Sequence, residues 1–172
     1  MRAPQLVIVE TDGWIARLLS ELSAESKWLV RASRSGDNAM SLVRDRRPSV
    51  IVVQVELADD KPAALTLISD ATRLCPDVPV VAVSDVKLND GDRISWTAAL
   101  FDLGVRYAMF PPLTRPVLED VVSGLMGAAT RRAGIVAPVA TSTPDKPKPK
   151  PRPNRAAPTD DVIDLADDEL HE

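Results

Sequence analysis

One histidine, His171, and one cysteine, Cys75, are all this chain of 172 residues holds of two side chains central to nucleophilic and acid–base chemistry near neutral pH. A lone cysteine cannot close an internal disulfide, and Cys75, beside Pro76 between apolar segments, reads as a small semi-buried side chain. No Gly-rich phosphate loop follows the first apolar run, and no nucleophile–base pair is apparent, so an enzyme is not expected. Long hydrophobic stretches are also missing. The run Leu6 to Val9 is too brief for a signal-peptide core and far below a membrane span, which leads to the expectation of a cytoplasmic protein without membrane insertion.

What is present is enough apolar material for one core: 45% of the residues are hydrophobic. The formal net charge of -4 is unevenly spread, with -1 over residues 1–137, +4 over 138–158 and -7 over 159–172. Three regions follow from that division. Residues 1–137 form the expected domain. Residues 138–158 contain seven prolines, with alternating basic residues in KPKPKPRP, and should form a disordered, basic, polyproline-like spacer reaching roughly 60 Å at about 3.1 Å per residue. Residues 159–172, TDDVIDLADDELHE, set Val162, Ile163, Leu165 and Leu170 among seven carboxylates and should be disordered alone.

Within the domain, LVIV (6–9), VIVV (50–53), VPVVAV (78–83) and VRYAMF (105–110) read as buried strands, and the mixed KWLVRA (27–32) as an edge strand. Helical spacing of apolar residues runs through 13–25, 37–46, 62–74, the segment holding Ile94, Ala98 and Phe101, and 114–132. Asp12, Asp90 and Thr114 stand at N-cap positions, Pro62 suits a first turn, and Gly104 and Gly134 mark helix ends. Five β-α repeats require parallel strands with crossover helices on both faces. The expected fold class is therefore α/β, a doubly wound five-stranded parallel sheet with a disordered C-terminal tail. Chemistry in such a fold gathers at the carboxyl ends of the strands.

The segments LVIVETD (6–12), PSVIVVQVEL (48–57), PVVAVSD (79–85) and GVRYAMFPP (104–112) have the order and spacing of bacterial response-regulator receiver domains, which this chain resembles over about residues 4–130. The resemblance implies the flavodoxin-like form of the doubly wound fold. It also implies a site in which acids after the first strand hold Mg²⁺ and an Asp ending the third strand accepts phosphate, with a hydroxyl and a Lys completing it. Carried over by position, Glu10 matches the first acid, Thr11 replaces the second, Gln54 stands for the phosphoacceptor, Ser84 matches the hydroxyl and Pro111 replaces the Lys. Ala108 takes the aromatic switch position and Pro112 matches the family's proline. A carboxamide can neither form an acyl phosphate nor bring charge to a hard cation, so a degenerate pseudo-receiver is expected, with no metal and no cofactor.

Function is then expected to reside in protein binding. On the helix around 94–103, Ile94, Ala98 and Phe101 share one face, while Trp96, Leu100 and Leu103 share nearly the opposite one. The second stripe, with Arg106 and Arg115 in its neighbourhood, has the composition of an interface, and the resemblance implies dimerisation and output through this helix; a homodimer is one candidate. The other placement of Trp96 is sideways against a neighbouring helix. The tail motif Val162, Ile163, Leu165, Leu170 could anchor a second partner, fold back as an autoinhibitor, or serve solubility alone. Arginines at 31, 34, 44, 46 and 47 are weighed against a near-neutral domain and an acidic tail, which disfavour nucleic acid. The reading is a phosphorylation-independent adaptor or regulator in bacterial signalling, laid out like some cell-polarity or motility regulators. The alternative is a small-molecule-sensing domain using the altered pocket.

Overall fold

A computed structural model describes residues 3–45, 47–57 and 63–134. The tail, with Val162, Ile163, Leu165 and Leu170, and residues Arg46 and Pro62 lie outside the described residues.

Five strands, β1 (Gln5–Val9), β2 (Leu29–Ser33), β3 (Ser49–Gln54), β4 (Val80–Val83) and β5 (Tyr107–Met109), form one sheet in the order β2-β1-β3-β4-β5. Every pairing is parallel, with Val7 opposite Arg31 and Ile51, Val53 opposite Ala82, and Val83 opposite Met109. The helices are α1 (Trp14–Leu18), α2 (Ser20–Glu25), α3 (Gly36–Asp45), α4 (Ala63–Leu74), α5 (Asp90–Asp102) and α6 (Arg115–Arg132). This is the flavodoxin-like, doubly wound arrangement.

Because strand side chains alternate between faces, each strand feeds two cores. Val7, Val9, Ile51 and Val53 point to the face covered by α3, α4 and Leu100 of α5. Leu6, Ile8, Val50 and Val52 point to the opposite face, covered by Ile15 of α1 and by Leu118, Val122 and Met126 of α6. All of β3 is buried, as a central strand covered on both faces must be, whereas edge strand β2 exposes Arg31 and Ala32. Truncating a fully buried side chain such as Ile51 should cost about 2–5 kcal/mol.

Local details differ from the sequence reading in three places. The helix expected over 13–25 is broken at Leu19 into α1 and α2. Asn89, not Asp90, caps α5: its side-chain oxygen accepts from the backbone N–H of Asp92 at 2.8 Å. Asp12 does not cap α1, whose N-cap is Gly13 at φ 79. Gly104 and Gly134 do follow helix ends, with φ values of 96 and 69. Among the described residues no helix is long and apolar enough to cross a membrane.

Candidate functional site

Parallel strands deliver their carboxyl ends to one edge of the sheet, and four chain segments arrive there together. β1 delivers Glu10 and Thr11, β3 delivers Gln54 and Glu56, β4 delivers Ser84, and β5 runs on to Pro111.

Glu10, 5% exposed, turns its carboxylate onto the start of α1. Its Oε2 accepts the backbone N–H of Ile15 at 2.7 Å and its Oε1 that of Ala16 at 3.2 Å. First-turn amides have no partner within their helix and carry partial positive charge, so a carboxylate is well matched to them. Glu10 therefore does the capping that the sequence reading gave to Asp12.

Gln54, 8% exposed, is fixed from the other side. Its Oε1 accepts the backbone N–H of Thr11 at 2.9 Å and the Thr11 hydroxyl at 3.3 Å. Thr11 Oγ1 also lies 2.9 Å from Glu56 Oε1, to which it donates. One hydroxyl proton serves only one acceptor at a time, and the shorter distance favours Glu56. Buried Ser84 accepts the Val86 N–H at its Oγ at 3.2 Å, and its own N–H donates to the Met109 carbonyl at 3.0 Å. Pro111 is joined to Pro112 by a cis peptide bond.

The five strand-end residues do not share one cavity. Glu10, Thr11 and Gln54 line a pocket of about 190 Å³ with Arg34, Glu56 and Leu67. Ser84 and Pro111 line a separate depression of about 460 Å³ with Trp14, Arg17 and Asp85. Among the described residues no group of three or more His, Cys, Asp or Glu side chains is placed to hold a metal ion.

The α5 surface requires a correction. Leu100 is 1% exposed and belongs to the core, and Leu103 packs against that core, so the stripe singled out as a docking face points at the sheet. Trp96 is half-buried. The opposite stripe is the open one: Ile94 is 70% and Phe101 50% exposed. These residues border a groove of about 570 Å³ that continues over Met109, Leu113 and Val117. Arg106 is exposed, and its backbone N–H donates to the Val80 carbonyl at 2.7 Å. Arg115 is engaged elsewhere, bonded to Glu21 of α2 and, at 2.9 Å, to Glu119. The hydrogen bond from Arg115, followed by its charge, holds the Glu21 carboxyl below its ordinary range, and chiefly the bond to Glu21 raises the Arg115 guanidinium.

Among solved structures, NtrX from Brucella abortus matches at a TM-score of 0.60 and 19% identity, over 78% of this chain and 30% of its own. The fold is that of a receiver domain. A response regulator receiver domain protein from Clostridium thermocellum matches at 0.57 and 14% identity, over 78% of this chain and all of its own (100%). The signal receiver domain of an HD domain-containing protein from Pseudomonas fluorescens matches at 0.59 and 14%, over 78% and 94%. The receiver fold thus spans only about 30% of the NtrX chain. No protein-family model and no curated protein matches the sequence.

The strand ends carry an acid, Glu10, and a hydroxyl, Ser84, at the positions that the sequence resemblance matched to receiver domains. Sequence reasoning missed Arg34's place beside Gln54 and the outward direction of Ile94 and Phe101. The last was signalled by Gly104 followed by Val105, because a hydrophobic residue after a C-terminal glycine packs on the helix face that holds Leu100.

Proposed function

We propose that this chain is a receiver-fold regulator that acts by binding a protein partner and does so without being phosphorylated. The observation that carries the reading is the Gln54 carboxamide at the end of β3, bound by Thr11 where the family resemblance expects a phosphoacceptor Asp. A neutral amide is no nucleophile toward phosphorus, and it brings no negative charge to Mg²⁺. Glu10, the remaining family acid, is spent on α1, and Pro111 supplies no cation to neutralise a phosphoryl group.

The partner surface in this reading is the Ile94, Ala98, Phe101 stripe of α5 with the adjoining groove. Ile94 and Phe101 are two helical turns apart on one face, which suits an amphipathic helix of a partner protein anchored by apolar residues at matching intervals. The acidic motif at Val162, Ile163, Leu165 and Leu170 is the second arm of the proposed adaptor, steered toward a basic surface. Such a layout is similar to that of bacterial cell-polarity or motility regulators.

Incubation with Mg²⁺ and a small acyl-phosphate donor tests the first half: no acid-labile phosphoprotein is expected, and its appearance would refute the reading of Gln54. For the second half, a partner captured by the full chain should be lost with Phe101→Asp, a change on an exposed face that leaves the core intact. Capture by the variant at full strength would remove α5 from the proposal. A second reading, small-molecule sensing, is favoured by the pocket beside Gln54.

A further inference from the structure

The pocket of about 190 Å³ is lined by both polar and apolar side chains, with the Gln54 carboxamide among them. A backbone N–H must point at an acceptor, so the 2.9 Å bond from the Thr11 amide identifies the Gln54 atom there as oxygen. The Gln54 Nε2 is consequently the outward end, and it meets no acceptor among the described residues. That donor opens on the pocket, where water or a ligand acceptor can meet it.

Two opposite charges stand at the mouth of the same pocket. Arg34 is exposed and makes no ion pair among the described residues. Glu56 is exposed and, among the described residues, takes only the Thr11 hydroxyl at 2.9 Å. Glu10 also lines the pocket, but its carboxylate is already matched by the amides of Ile15 and Ala16. The remaining wall is apolar, chiefly Val9, Val53 and Leu67.

These features select a ligand by elimination. The volume lies below the roughly 300–1,000 Å³ of drug-sized sites, which suits a small ligand. A purely anionic ligand would face Glu56 and Glu10 with Arg34 as its one countercharge among the described residues, and a purely cationic one would leave Arg34 and Gln54 Nε2 unmatched. A zwitterion with a short apolar body matches all of them. We propose that this pocket binds a free aliphatic α-amino acid, its carboxylate on Gln54 Nε2 and Arg34, its ammonium on Glu56, and its side chain against Val9, Val53 and Leu67. The inference rests on the sensing reading and is independent of partner binding.

Titration calorimetry of the full chain with L-valine, L-isoleucine and L-leucine tests it. At least one should bind saturably with one site per chain. The corresponding 2-oxo acid, lacking the ammonium, and the corresponding amine, lacking the carboxylate, should each bind at least about tenfold more weakly. Arg34→Ala, an exposed change that leaves the core intact, should weaken binding by a similar factor, and Gln54→Glu, which keeps an acceptor for Thr11 but removes the donor, should do the same. The proposal is overturned if none of the three amino acids binds at about 10 mM, if the 2-oxo acid or the amine binds as tightly as the amino acid, or if Arg34→Ala binds unchanged. Partner capture by the full chain would survive any of these failures, so the two readings stand or fall separately.

Discussion

Replacing Glu10 tests whether the strand-end acid serves the helix or a cation. Its carboxylate supports Ile15 N–H at 2.7 Å and Ala16 N–H at 3.2 Å, and Gly13, at the N-cap, has no side chain to take over. A hydrogen bond to a charged group contributes about 1.5–3 kcal/mol, and the longer bond belongs at the low end. Water can reach the partly buried Ala16 amide but not the buried Ile15 amide, so Glu10→Ala should destabilise by about 3 kcal/mol in total. Glu10→Gln keeps one acceptor, which can still meet Ile15 N–H, and should cost about half as much. Urea unfolding, followed by tryptophan fluorescence to which Trp14 in α1 contributes, measures both by linear extrapolation. The reasoning fails if both variants lie within about 0.5 kcal/mol of the parent. It fails differently if millimolar Mg²⁺ stabilises the parent but not Glu10→Ala, since the carboxylate would then be holding a cation.

At Gly104 the backbone has φ 96, and an added Cβ would lie 2.4 Å from Thr72 Cγ2 and 2.6 Å from Thr72 Oγ1. Gly104→Ala should therefore lose about 1–2 kcal/mol to backbone strain and about 1–3 kcal/mol to overlap, and adding Thr72→Ala should recover only the overlap part, again by urea unfolding. The Glu21 carboxyl is held below its ordinary range by Arg115, so its contribution to stability is present above the ordinary glutamate range and is lost as pH falls through the lowered folded value. Glu21→Gln should lower stability slightly at neutral pH and flatten the acid limb by the same small amount; a variant curve that coincides with the parent's at every pH would remove the pair from consideration.

The strands were legible because a strand buried on both faces leaves an unbroken apolar run, as VIVV does within β3. Edge strand β2 was legible for the converse reason, its mixture of Arg31 and Val30 fitting incomplete cover. The break at Leu19 was invisible, since Ile15, Leu19 and Leu22 keep helical spacing straight through it. On α5 the period showed two stripes but not which one met the sheet. Its C-terminal turn decides that: Gly104 N–H bonds the Phe101 carbonyl at 2.9 Å and Val105 N–H the Leu100 carbonyl at 3.1 Å, drawing Val105 and Leu100 into one core. At the strand-end site the residue types were readable and the partner of Gln54 was not. Glu10 reaches amides five and six positions ahead across the β1–α1 turn, whereas Thr11 meets Gln54 across forty-three positions, a contact set by the sheet and not by local spacing.

The position of β1 inside the sheet has a consequence for synthesis. Val7 pairs with Ile51 as well as Arg31, so one side of β1 stays open until a strand more than forty residues later has emerged. At roughly 5–20 residues per second, that wait lasts roughly 2–9 s. During it the nascent chain offers an apolar segment with one unpaired backbone edge, a substrate for a ribosome-associated chaperone and a seed for aggregation in any chain stalled before Ser49.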